Sequence, residues 1–337
     1  MENSKASNLS QVNQPPEDFL PMTTGSVRRA VAGYGIVVVF IGLCAYYFYT
    51  HREDFLFLAD LSFPDLVAAA LSVAAAFVAG MFQLKPVFDH FRLSMRFWEL
   101  AALSTTSSLG NLVLPMRGGS AALAIYLKKV HGMSYRDFSL TYAGIGILTV
   151  LTSSALALIS LGVMFVHEGF FELPITVLVA GLFGLCVILI AFPPRLVSRG
   201  GRIRRVIAAS LDGWHALTSD RLLLVKSSAA LIVVLLCFTS AFYFLYRALG
   251  APLPFFAVLV TLSVGNIANL VPITPGSLGI FDAVTIQIPL FFGLDTARSM
   301  TATVLFRTLS FVWTLGAGIP AFFYLSASVR RFGARSK

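Results

Sequence analysis

The chain has 337 residues, of which 57% are hydrophobic and 12% charged, and a net charge of +9; its mean hydropathy is +0.82. Soluble domains carry roughly twice that charged fraction, so the composition argues against a soluble enzyme. The three cysteines, Cys44, Cys186 and Cys237, lie in apolar runs without the spacing of a disulfide framework or zinc site.

Taken from the N-terminus, residues 1–26 are polar, include "NQPPED" and read as a disordered cytoplasmic tail without the apolar core of a signal peptide. Apolar runs long enough to cross a hydrocarbon core follow at about 31–49, 65–84, 138–166, 174–192, 222–247 and 298–326. Two further apolar segments, 97–130 and 254–292, are interrupted near their middles by proline and glycine. Proline removes an amide donor and clashes with the preceding turn, so each reads as a re-entrant hairpin that enters and leaves on one side. Between the fourth and fifth crossings, "RIRRVIAASLDGWHAL" sets Ile203, Val206, Ile207 and Trp214 at helical spacing beside three arginines. This predicts an interfacial amphipathic helix over 202–218.

The predicted fold is an all-α polytopic membrane protein with six full crossings and two hairpins. Basic residues set its orientation. With the N-terminus inside, clusters at Lys5 to Arg29, Lys85 to Arg96, Lys128 to Arg136, Arg195 to Lys226 and Arg330 to Lys337 all fall on the cytoplasmic side. Only Arg52, Arg247 and Arg298 fall outside. Reading the interrupted segments as single crossings would move Lys128, Lys129 and Arg136 outside and spoil that asymmetry.

"GNLVLPMRGGSAALAIYL" (110–127) aligns with "ANLVPITPGSLGIFDAVT" (268–285) at a constant offset, matching Asn111 to Asn269 and Gly118 to Gly276. After each hairpin comes a glycine and a helix-start signal, Gly132-Met133-Ser134 and Gly293-Leu294-Asp295. The chain therefore divides into a first membrane repeat over 27–167, an inverted second repeat over 168–328 and a basic cytoplasmic tail over 329–337. Broken helices at matching places of an inverted repeat point to a binding site near the midplane.

Three charges fall at membrane depth: Arg117 at the first hairpin tip, Asp282 on the returning limb of the second, and Arg307 in the last crossing. Such charges face protein or water rather than lipid, and a planar guanidinium suits phosphate. Two arginines against one acid favour an anionic ligand; the alternative is a structural ion pair between Asp282 and either arginine. Asn111, Asn266 and Asn269 are expected to satisfy the broken backbone or touch the headgroup, with Thr274 and Ser277. The candidate substrate-binding set is completed by Gly118, Gly119, Ser120, Pro275, Gly276 and Gly279. Glu99 is expected near Arg96 by its i,i+3 spacing.

The pattern N-x3-P-x-R-x-G, met by Asn111, Pro115, Arg117 and Gly119, resembles the flippase-like transmembrane domain of lysylphosphatidylglycerol synthases and its stand-alone relatives. So does P-G-x-L-G-x-x-acidic, met by Pro275, Gly276, Leu278, Gly279 and Asp282, with Arg307 in the last crossing. The resemblance covers nearly all of the chain after the tail and implies a carrier of lipids between leaflets. Ser120 stands where that family usually has an acid, which weakens the expectation of a cationic headgroup. No aminoacyltransferase segment follows within these residues, so lysyl transfer is not expected.

The expected function is transport of a phospholipid or lipid-linked glycan with a phosphate-containing headgroup. An intramembrane, Arg-lined cavity would hold it, with no cofactor, metal or catalysis. The alternatives are a small-solute secondary transporter, or an integral membrane enzyme or accessory subunit of glycolipid synthesis. The expected partner is membrane lipid, not nucleic acid; a homo-oligomer and a lipid-synthesising enzyme partner are compatible with it. The location is the cytoplasmic membrane if the protein is bacterial.

Overall fold

The computed structural model describes residues 60–91, 93, 95–114, 118–191, 220–270 and 279–335, with single positions at 42, 46, 49, 50, 212, 214, 215 and 218. The described residues form helices without strands. In chain order these are α1 (Phe63–Gln83), α2 (Lys85–His90), α3 (Phe97–Val113), α4 (Gly118–His131), α5 (Tyr135–Glu168), α6 (Leu173–Ala191), α7 (Arg221–Ala248), α8 (Phe255–Ala268), α9 (Ile280–Gln287) and α10 (Thr296–Arg335). A 3-10 turn, Ile288–Phe292, extends α9. The predicted crossing at 31–49 lies mostly outside the described residues. So does most of the amphipathic helix 202–218, although Asp212, Trp214, His215 and Thr218 are helical.

Among the described residues, four helical stretches are long and apolar enough to cross a membrane: Phe63–His90, Tyr135–Glu168, Arg221–Ala248 and Thr296–Ala327. Shorter apolar helices lie at Leu173–Ile188, Phe255–Ala268 and Ile280–Phe292. Large apolar side chains such as Leu71, Ile159, Val233 and Val312 stand exposed on the long helices, an arrangement that suits acyl chains rather than water.

Local chemistry fixes the helix ends. Ser134 caps α5 by accepting from the Asp137 N–H at 3.0 Å. The corresponding Asp295 accepts from the Arg298 N–H at 2.8 Å at the start of α10. Both helices are preceded by a glycine in the left-handed region, Gly132 at φ 72° and Gly293 at φ 83°, where a side chain would be strained. Asp220 caps α7 through the N–H groups of Leu222 and Leu223, at 2.9 and 3.2 Å. Those bonds, with His90 alongside, hold its carboxyl below the usual range, the Leu223 N–H having the largest influence.

Packing follows a reciprocal pattern. α1 lies along α7, α3 packs on α10, and α8 packs on α5. The first limb of each interrupted segment therefore lies against a long helix distant from it in the chain, α3 against α10 and α8 against α5. Beneath the α9–α10 contact sits an aromatic core in which Phe306 meets Phe242 at 4.6 Å, Phe238 at 5.6 Å and Phe281 at 6.0 Å between ring centroids.

Candidate functional site

α9 begins where Gly279 adopts φ 97° and ψ −56°, a conformation that side chains disfavour. The turn places Asp282 in the first turn of α9, where its Oδ2 accepts from the Gly279 N–H at 2.9 Å. A carboxylate there satisfies an orphan amide and complements the helix dipole. Its other oxygen, Oδ1, accepts from Arg307 Nε at 2.7 Å. The Asp282 side chain is 2% exposed and that of Arg307 17%. The guanidinium also lies over the Phe281 ring, 4.9 Å from its centroid, a desolvated cation–π contact. One acid thus ties together a broken helix start and the middle of the closing helix.

The pair continues as a buried polar ladder. Thr303 Oγ1 lies 3.1 Å from Thr285 Oγ1, and the Ser299 hydroxyl reaches the carbonyls of Thr285 and Ile286 at 3.1 and 2.8 Å. Thr285, Ser299 and Thr303 are all buried. Sequence reasoning passed over them because lone Ser and Thr are common on apolar helices. Their spacing was the available signal: Asp282 and Thr285 on α9 face Thr303 and Arg307 on α10, at i,i+3 and i,i+4.

In the first interrupted segment, α3 and α4 form an antiparallel pair joined at both ends. At the closed end, Asn111 Oδ1 accepts from the Ser120 N–H at 3.1 Å, so this amide does satisfy broken backbone. A Cβ on Gly119 would overlap the Ser107 carbonyl and lie 2.6 Å from the Asn111 nitrogen; one on Gly110 would lie 2.5 Å from the Gly119 Cα. Gly118 is similarly closed in by Leu114. Ser120 is buried, its hydroxyl 2.9 Å from that of Tyr142 on α5. At the other end, Glu99 accepts from the Tyr126 hydroxyl at 2.8 Å, and His131 Nε2 lies 2.8 Å from the same carboxylate oxygen. Glu99 lies next to Arg96 as expected, its N–H bonded to the Arg96 carbonyl at 3.0 Å, while its carboxylate takes partners from the returning limb.

The second segment is anchored differently. Asn266 Nδ2 donates to Ser153 Oγ on α5 at 3.0 Å, while the Asn269 N–H closes α8 on the Gly265 carbonyl at 2.8 Å. Of the expected site residues, the structure brings Gly279, Asp282 and Arg307 together, and separately Asn111, Gly118, Gly119 and Ser120. Asn266 joins α5. Arg117, Thr274, Pro275, Gly276 and Ser277 lie outside the described residues. A cleft of about 100 Å³ opens elsewhere, at the junction of α1, α2 and α3, lined by residues that include Phe82, Lys85, Asp89 and Phe97.

A family model described as "Lysylphosphatidylglycerol synthase TM region" matches residues 30–318, a span that includes both interrupted segments, Asp282 and Arg307. No curated protein matches the chain.

Proposed function

The chain belongs to the lysylphosphatidylglycerol synthase TM-region family, and from that premise we propose that it carries a phosphate-bearing lipid between membrane leaflets. The observation that carries this reading is the Asp282–Arg307 pair, a nearly buried charge pair at a helix start inside an apolar protein. Arg307 is the phosphate ligand, joined by Arg117, and Asp282 is the internal counter-ion that holds the guanidinium while no headgroup is bound. A phosphate would take the place of one carboxylate oxygen on the planar guanidinium fork.

The proposed topology is six crossings and two half-crossings in an inverted repeat, with both termini cytoplasmic. Several observations support it. α3 and α8 begin at Phe97 and Phe255, the same offset that aligns Asn111 with Asn269. Each packs on the closing helix of the opposite half. At 17 and 14 residues they span about 25 and 21 Å, short of the roughly 30 Å of a hydrocarbon core.

A second reading has an observation of its own. The Thr285–Thr303 and Ser299 contacts extend the ion pair into a continuous ladder, which suits a fixed clamp between α9 and α10. Reconstitution tests the carrier reading. In proteoliposomes holding a fluorescent phospholipid analogue with a phosphodiester headgroup, the protein is expected to move the analogue between leaflets well above the rate of empty vesicles. The lipid should be recovered chemically unchanged. Conversion of the lipid would instead make the protein an enzyme, and movement at the empty-vesicle rate would refute carriage.

A further inference from the structure

Arginine carries its guanidinium on a long stem with many rotamers. A single hydrogen bond therefore fixes where the fork touches a partner, but not the plane in which it lies. At Arg307 the bond from Nε to Asp282 Oδ1, 2.7 Å long, supplies the first restraint. The Phe281 ring supplies a second, since the guanidinium carbon stands over it at 4.9 Å from the centroid. A cation over a ring face is attracted by the ring quadrupole, and a planar guanidinium stacks on aromatic faces. The contact is sheltered, because Phe281 is buried and Arg307 nearly so.

The ring is itself held from two other helices. It stacks on Phe306 of α10, 6.0 Å between centroids at an interplanar angle of 30°, and Phe306 directly precedes Arg307. On α8, Gly265 leaves the notch that admits the ring: a Cβ there would lie 3.1 Å from Phe281 Cε2 and 3.4 Å from Cδ2. Those distances are shorter than the usual separation of carbon atoms in contact, so a side chain at 265 would push against the ring. The next residue, Asn266, ties the same turn of α8 to Ser153 of α5 at 3.0 Å. The end of α8 thus touches the ring on one side and α5 on the other.

We propose that Phe281 is the positioning residue of the phosphate site: seated against Gly265, it keeps the Arg307 guanidinium in plane when a phosphodiester displaces the Asp282 carboxylate. This rests on the carrier reading for the identity of the ligand. In the empty protein the carboxylate and the ring act together. A phosphate that takes the place of the carboxylate oxygen removes the first restraint, and the ring remains. Phe281 has no polar atom to offer a headgroup, so it acts through the arginine. Bidentate recognition of phosphate depends on a fixed donor geometry, so a fork free to turn binds more weakly although its charge is intact.

The test replaces Phe281 in the full-length protein with phenylalanines bearing one, two or three ring fluorines, which nearly keep its shape while draining the negative ring face. Short-chain phosphatidylglycerol is the probe, its binding measured by calorimetry in detergent. Affinity should fall stepwise with each fluorine, by about twofold to thirtyfold in total, and Gly265→Ala should weaken it in the same direction. The thermal midpoint of the empty protein should fall along the same series. It should stay level in the Arg307→Gln, Asp282→Asn background, where no cation faces the ring. Unchanged affinity across the series would overturn the proposal and leave the phosphate site standing. An equal fall of the midpoint in the uncharged background would overturn it too, by making the ring a packing group alone. No saturable binding of the probe by the natural chain would refute the phosphate site itself, and the role of Phe281 with it.

Discussion

Arg307→Gln is expected to lower stability by about 3–5 kcal/mol and to abolish lipid movement. Removing one partner of a buried pair leaves the other charge uncompensated, and Asp282 is almost wholly enclosed. Among the described residues the Gly279 N–H would remain its one strong donor, too little for an ionised carboxylate in an apolar setting. Thermal inactivation of the purified protein in detergent reads the first effect, and the vesicle assay the second. The double variant Arg307→Gln with Asp282→Asn separates site from clamp. Two amides preserve the shape without a buried charge, so most of the lost stability should return while transport stays absent. Full transport by the double variant would make the pair a clamp only.

The second large effect is steric. Gly119→Ala should cost several kcal/mol and strip α4 from α3, because its new methyl would meet the Ser107 carbonyl and the Asn111 backbone nitrogen. Neither is the movable end of a side chain, so the limbs must separate, and overpacking a tight contact is destabilising. The Asn111–Ser120 bond, at the same crossing, would break with it. Gly146→Ala in α5 is the matched control. Nothing lies within 4 Å of a Cβ there, so helix propensity alone predicts a gain of up to about 1 kcal/mol. Size-exclusion chromatography and thermal inactivation of both variants give the comparison. Equal behaviour would mean that the α3–α4 crossing is looser than the structure has it.

Much of this architecture was legible because it is written in local chemistry. Ser134 and Asp295 start their helices at the expected places, since a cap needs only its own next turn. Proline and glycine likewise marked where α3 and α8 stop. The helices at 138–166 and 298–326 run longer than expected, to Tyr135–Glu168 and Thr296–Arg335, because polar residues continue a helix once hydrophobicity ceases to mark it. What local reasoning could not reach was partnership across the fold. Glu99 stands three residues from Arg96, yet an antiparallel return brings its carboxylate Tyr126 and His131. Asn266 falls opposite Ser108 at the offset that matches Asn269 to Asn111, yet finds Ser153 on α5, more than a hundred residues earlier. The Asp282–Arg307 pair was one of two open alternatives from sequence, since two arginines competed for one acid. Asp282 meets Arg307 because the start of α9 faces α10, while Arg117 lies outside the described residues.

Native mass spectrometry of the lipid that stays with the purified protein tests the core of this account most directly. The wild-type chain is expected to retain a phosphate-bearing lipid, and the Arg307→Gln, Asp282→Asn double variant, prepared identically and folded, to lose it. Equal retention by both proteins would contradict a phosphate site at Arg307.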